Sequence, residues 1–181
     1  MAAAIALLRG INLGARRVSS ADLRAAFESL GLGMVRTLQA AGSLVFTGSG
    51  EDPEDLEARA AQALSKRLGF DCEVFIRCAK AWDEMIAANP FAEAARHDPA
   101  HLLAMVLKRA PKPEAAGALT AAISGPEQAR IVGRCAYIVY PDGMGRSSLT
   151  GGRLDRALEV RGTGRNWKTV LKLAEMAAAG P

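Results

Sequence analysis

The chain is poor in the residues that most often announce chemistry: it has three cysteines, two histidines, two tryptophans and two tyrosines among 181 residues. Aromatic side chains make up 5% of it, so no row of rings on which single-stranded nucleic acid would stack is readable. Cys72, Cys78 and Cys135 are odd in number and form no CxxC pair, which indicates neither a disulfide framework nor a zinc site. No apolar run approaches the roughly 18 residues of a membrane span. Met1–Leu8 is too short, and lacks the basic start, to read as a signal peptide. These absences lead us to expect a soluble protein of a reducing cytoplasm, with no membrane partner, metal or cofactor. Enzyme signatures such as HExxH and GxSxG are missing as well. His97 and His101 lie four apart, but Asp98-Pro99 between them interrupts a helix, so both are expected to be solvated linker residues.

What the chain does have is apolar bulk and arginine. Half its residues are hydrophobic, enough to bury a core in one domain or two small ones. The net charge is +4, and of 23 basic residues 17 are Arg and 6 are Lys. The charge is polarised. Residues 143–172 hold Arg146, Arg153, Arg156, Arg161, Arg165, Lys168 and Lys172 against Asp155 and Glu159. Glu51, Asp52, Glu54, Asp55 and Glu57 crowd a single helix start, the placement a helix macrodipole favours.

Periodicity gives the order of elements. Ala2 to Leu8 is apolar on both parities, as a strand buried on both faces would be. Ser19 or Ser20 then caps a helix with Leu23, Phe27 and Leu30 on one face. Two strand-like runs follow, Met34–Gln39 and Ser43–Thr47, and Pro53 opens a helix ending near Gly69. In the next run Cys72, Val74, Ile76 and Cys78 alternate, which places both thiols on one face, expected to be the core. This strand-helix-strand-strand-helix-strand order is the ferredoxin-like split βαβ pattern. It restarts after a boundary between Pro90 and Pro99. Leu102–Leu107 reads as a strand, Pro113–Ile123 as a helix, and Ala129–Val132 and Cys135–Tyr140 as two strands. A short helix around Leu149–Leu158 and a last one from Trp167 to about Ala178 complete the chain. The expected class is therefore α+β, with two ferredoxin-like subdomains, 1–92 and 93–181, the second a diverged copy carrying extra C-terminal helices.

Several segments carry a resemblance: Leu7-Leu8-Arg9-Gly10-Ile11-Asn12-Leu13-Gly14, the Gln39–Phe46 hairpin, Asn89-Pro90-Phe91, Tyr140-Pro141-Asp142-Gly143 and Arg165-Asn166-Trp167-Lys168-Thr169-Val170. Together they resemble the bacterial DUF1697 family over nearly the whole chain. The resemblance implies an α+β architecture of two small subdomains and supplies no reaction. Where the family usually has a Gln-Ser-Gly-Asn-like hairpin, this chain reads Gln39-Ala40-Ala41-Gly42-Ser43. Its Arg165-Asn166-Trp167 core is intact, with Gly164 and Lys168 at positions where the family commonly has Thr and Asn.

Two clusters combine glycine, arginine and an amide, the residue types that present backbone N–H groups and guanidinium to an anion. The first is Arg9, Gly10, Asn12 and Gly14 after the opening strand. The second is Arg165, Asn166 and Lys168 at the start of the last helix, with Gly162 and Gly164 before it and the Arg165 guanidinium expected to be exposed. Asn166 reads as an N-cap, and the cations near it oppose the macrodipole, which a bound anion would offset. The bland alternatives are tight turns, a Trp167 anchor and solvated charges. Three functional readings follow. One is a module binding a phosphate-bearing partner, either a nucleotide or nucleic acid. The others are an enzyme acting on a small anionic substrate, and an oligomeric protein whose basic and acidic faces meet.

Overall fold

The computed structural model describes residues 3–11, 17–38, 42–48 and 50–179. By its contacts the chain divides into two units, Met1–Glu84 with Lys172–Pro181, and Met85–Leu171. In the first, β1 (Ala3–Arg9) buries Ala4, Ala6 and Leu8 on one face and Ile5 and Leu7 on the other, as its apolar run on both parities requires. Helix α1 (Ser20–Glu28) begins at Ser19, whose Oγ accepts from the Asp22 N–H at 3.0 Å, so one of the free amides of the first turn is satisfied. After β2 (Gly33–Thr37) and β3 (Ser43–Thr47) comes α2 (Pro53–Leu68). Asp52 caps α2, Pro53 fills its first turn, and Gly69 closes it in the left-handed region at φ 75°. Strand β4 (Glu73–Cys78) and α3 (Ala79–Ala87) follow.

The four strands form an antiparallel sheet in the order β2-β3-β1-β4, the ferredoxin-like arrangement. Register places Ala6 between Leu44 and Ile76. That face packs against Leu23, Ala26 and Phe27 of α1 and Leu56, Ala60 and Leu64 of α2. The Phe27 and Phe46 rings meet within it at 5.4 Å between centroids.

The second unit repeats the topology. It comprises α4 (Ala92–His97), β5 (Leu102–Leu107), α5 (Ala115–Ala122), β6 (Gln128–Val132), β7 (Cys135–Val139), α6 (Gly151–Leu158) and β8 (Gly162–Asn166), and α7 (Trp167–Ala178) starts in it. Its sheet order is β6-β7-β5-β8, again antiparallel throughout. Every residue of β5 is buried. On the helix face, Leu103, Met105 and Leu107 pack with Leu119, Leu154 and Leu158. On the other face Tyr137 stacks at a tilt against Trp167, 6.3 Å between centroids, and donates its hydroxyl to the Met85 carbonyl at 2.6 Å. Trp167 is the buried anchor expected of it, and α7 starts at the residue expected.

Two elements were not expected from the pattern. Strand β8 consists of Gly-Thr-Gly-Arg-Asn, which has two glycines, no large apolar residue and only Thr163 β-branched, and α4 occupies the stretch read as linker. Two side chains also sit differently from their expectation. Cys72 and Cys78 share the helix-facing parity, but only Cys72 is in the core, because Cys78 ends the strand and is exposed. Glu57, read as one of the acids crowding the start of α2, is buried. It accepts from the Ile76 N–H at 2.7 Å and lies 3.4 Å from the Arg77 guanidinium. β4 is an edge strand, and edge amides need a partner from outside the sheet; for Ile76 the α2 carboxylate supplies it.

Breaking this contact has a definite cost. Glu57→Ala leaves Arg77 half of a buried pair and the Ile76 N–H open, and should lower unfolding free energy by about 3 kcal/mol, read as a lower urea midpoint; Glu57→Gln, which keeps the acceptor, should lose less. Burial, aided by Asp71 and Glu73, pushes the Cys72 thiol up to about 11 from its ordinary 9.0. The folded state thus keeps this proton when the unfolded state loses it, so its stabilising contribution is whole below pH 9 and falls away toward pH 11. Iodoacetamide at about pH 8 should accordingly alkylate Cys78 in the native protein and reach Cys72 and Cys135 only on unfolding, as mass spectrometry would count.

Candidate functional site

The site residues read from the sequence fall in both units. Arg9 ends β1, half-buried and in register with Glu73. Gly10 follows at φ 82° with nothing within 4 Å of the position a Cβ would take, so its backbone conformation, not crowding, calls for glycine. Asn12 and Gly14 lie outside the described residues. Ile11 between them and β1 is buried in the first unit's core.

Arg165, Asn166 and Lys168 belong to the second unit, at the junction of β8 and α7. Asn166 is the helix cap, its Oδ1 accepting from the Thr169 N–H at 2.9 Å. The junction is held from the other side by the Trp167 N–H, which donates to the Pro99 carbonyl at 3.1 Å. Lys168 points to solvent. Arg165 is half-buried instead of exposed: its guanidinium donates to Thr163 Oγ1 at 3.0 Å and to the Gly164 carbonyl at 2.8 Å. Burial pulls its pKa down to about 10, because a cation removed from water is destabilised relative to its neutral form.

Gly162 and Gly164, which the sequence offered as a phosphate cradle, have a packing explanation. A Cβ on Gly162 would lie 2.7 Å from Leu107 and 2.8 Å from Met105, and one on Gly164 would lie 2.9 Å from Leu103. These two positions face the helix side of the sheet, where the β5 side chains lean across and fill the space. Their register partners Leu107 and Met105 show the same geometry. At both positions a Cβ would have to push the ends of these buried side chains aside, so packing alone favours glycine here.

A cavity of about 210 Å³ opens at this junction, lined by His101, Tyr140, Met144, Arg165, Asn166 and Thr169 among others. His101 is the member that sequence reasoning missed. It closes a turn on Asp98, its N–H donating to the Asp98 carbonyl at 3.1 Å, and Tyr140 in turn donates its N–H to the His101 carbonyl at 2.8 Å. The imidazole Nδ1 is 2.7 Å from Asp98 Oδ2. A signal for this was present: Asp followed by Pro at the first two positions of a β-turn. His97, by contrast, ends α4, exposed, 3.3 Å from Glu93.

A larger cavity of about 490 Å³ lies beyond Tyr140 and Gly143, with Ser124, Glu127, Asp142, Arg146 and Ser147 in its wall. Ser147 Oγ donates to the Glu127 carboxylate and accepts from the Leu149 N–H, and Tyr140 donates its hydroxyl to the Leu149 carbonyl at 3.0 Å. The Ser147 hydroxyl holds the Glu127 carboxyl below the usual carboxylate range, with help from nearby backbone amides. These groups fasten the 143–150 loop. Among the described residues no cluster of three or more His, Cys, Asp or Glu has the placement of a metal site.

Fold and cavities together define an α+β protein of two ferredoxin-like units. The chain belongs to the family described as a protein of unknown function, DUF1697, whose model matches residues 1–137. The conserved bacterial protein SP0830 from Streptococcus pneumoniae has a similar structure, with a TM-score of 0.75 and 18% identity over 97% of this chain and 98% of that one. That likeness concerns the fold. No curated protein matches the chain.

The crowding at β8 is open to test. Gly164→Ala should destabilise the protein by about 1–3 kcal/mol by forcing Leu103 aside, whereas Gly145→Ala, with nothing within 4 Å, should change the melting temperature far less.

Proposed function

We propose that the protein is a binding module for a small anion of the phosphate class, held in the cavity at the β8–α7 junction. The observation that carries this is that the amide-capped start of α7 at Asn166, His101 and Arg165 all line one cavity. The start of a helix is the positive end of its dipole, and negative charge is favoured there. At about 210 Å³ the cavity is smaller than the roughly 300–1,000 Å³ typical of drug-sized ligands, which favours a single phosphate or the phosphorylated end of a larger molecule.

The nucleic-acid version of this reading is the weaker one. All nine aromatic side chains are buried or half-buried, so among the described residues no ring is free to stack a base. The remaining attraction would be to backbone phosphates, with steep salt dependence.

Inorganic phosphate and nucleoside phosphates should raise the melting temperature, with a shallow dependence on salt. Asn166→Asp separates binding from folding, since aspartate caps a helix as well as asparagine does. The variant should keep its melting temperature and lose affinity about tenfold or more through the added negative charge, a loss of about 1.4 kcal/mol. Unchanged binding in Asn166→Asp, or no stabilisation by any phosphate compound, would overturn the proposal.

A further inference from the structure

We infer that His101 is the proton-carrying contact of this cavity, so that an oxyanion of the phosphate-monoester class binds together with one proton on the ring. The inference rests on the anion-binding reading and names the group that would select the ligand's charge.

The geometry fixes which nitrogen acts. A carboxylate only accepts hydrogen bonds, so Nδ1, at 2.7 Å from Asp98 Oδ2, must carry its hydrogen whether the ring is neutral or charged. Any further proton therefore goes to Nε2. That atom has no hydrogen-bond partner among the described residues, and it lies 3.5 Å from the position a Cβ on Gly143 would take. The ring is part of the cavity wall with Arg165 and Asn166. With Nε2 protonated, the cavity gains a charged donor and one positive charge, and the donor's bond to an oxyanion is a strong charge-assisted one.

Charged and titratable side chains reach the neighbourhood of the ring from several segments. Asp98 lies on its own turn, Tyr140, Asp142 and Arg146 on the segment after β7, and Arg165 on β8. Lys168, on α7, is exposed to solvent. Of these side-chain types only an imidazole ordinarily changes charge between pH 6 and 8. Tyr140 is committed to the Leu149 carbonyl, and burial pushes its hydroxyl up to about 12.

Sulfate is the probe that isolates the effect, because it stays a dianion across this range while phosphate itself titrates near 6. Sulfate affinity should fall as pH rises from 6 to 8, by up to about tenfold per unit where the ring loses its proton. His101→Gln should bind more weakly at pH 6 and show no such slope. Proton NMR supplies the internal control, since the chain's other histidine, His97, lies outside the cavity. Sulfate should raise the titration midpoint of the His101 ring signals and leave those of His97 in place.

If sulfate perturbs the Asn166 and Thr169 amides but its affinity is flat with pH, or if His101→Gln keeps the slope, the inference fails and the anion-binding reading stands. Equal movement of both histidines would mean general ionic attraction and would also overturn it. If neither sulfate nor phosphate perturbs the cavity amides at any pH, both readings fail.

Discussion

The first strand of each unit has a partner on both edges and buried side chains on both faces, and much of the rest is arranged to keep it dry. Neither β1 nor β5 can hold a polar side chain in its middle, since an unpaired polar group there would cost on the order of 1–3 kcal/mol. Polar work is displaced to the sheet edges. At β4 the open Ile76 amide takes a carboxylate from α2. At β8 the leucines and methionine of β5 lean across their neighbour so far that a Cβ at either of its two glycines would have to displace them. The same edge then turns directly into α7, which places the capping amide and the half-buried arginine side by side in sequence at the edge of a cavity.

This constraint also explains which parts of the fold were legible. Ala2–Leu8 and Leu102–Leu107 are continuous apolar runs because they are central, and both were read as strands from that alone. The caps at Ser19 and Asn166, the proline at the start of α2 and the glycine at its end carry their chemistry locally and were equally readable. Strand β8 was not, because it is a strand by virtue of what β5 does beside it. Its own residues look like a loop, and the space that demands glycine is set by side chains some sixty residues earlier in the chain. Glu57 was misjudged for a related reason: a carboxylate among four others looks solvated until β4 is laid next to it.

The cavity shows the same division. Arg165 and Asn166 were singled out from the sequence, though the guanidinium proved half-buried. His101 does not stand out in the sequence, because its four-residue spacing from His97 points only to a shared helix face, which Asp98-Pro99 interrupts. What matters instead is a tight turn that puts one imidazole against one carboxylate, and a strand end at Tyr140 that brings the turn to β8. Three separated segments build the cavity wall, 100–103, 140–144 and 164–169, so no single window of sequence contains it.

The burial of both indoles has a consequence for observing the molecule. Trp82 lies in the first unit and Trp167 in the second, and both are almost fully enclosed. Each half of the chain therefore carries its own fluorophore in an apolar setting. Replacing one indole at a time by phenylalanine would give two emission signals, each reporting the loosening of a different half.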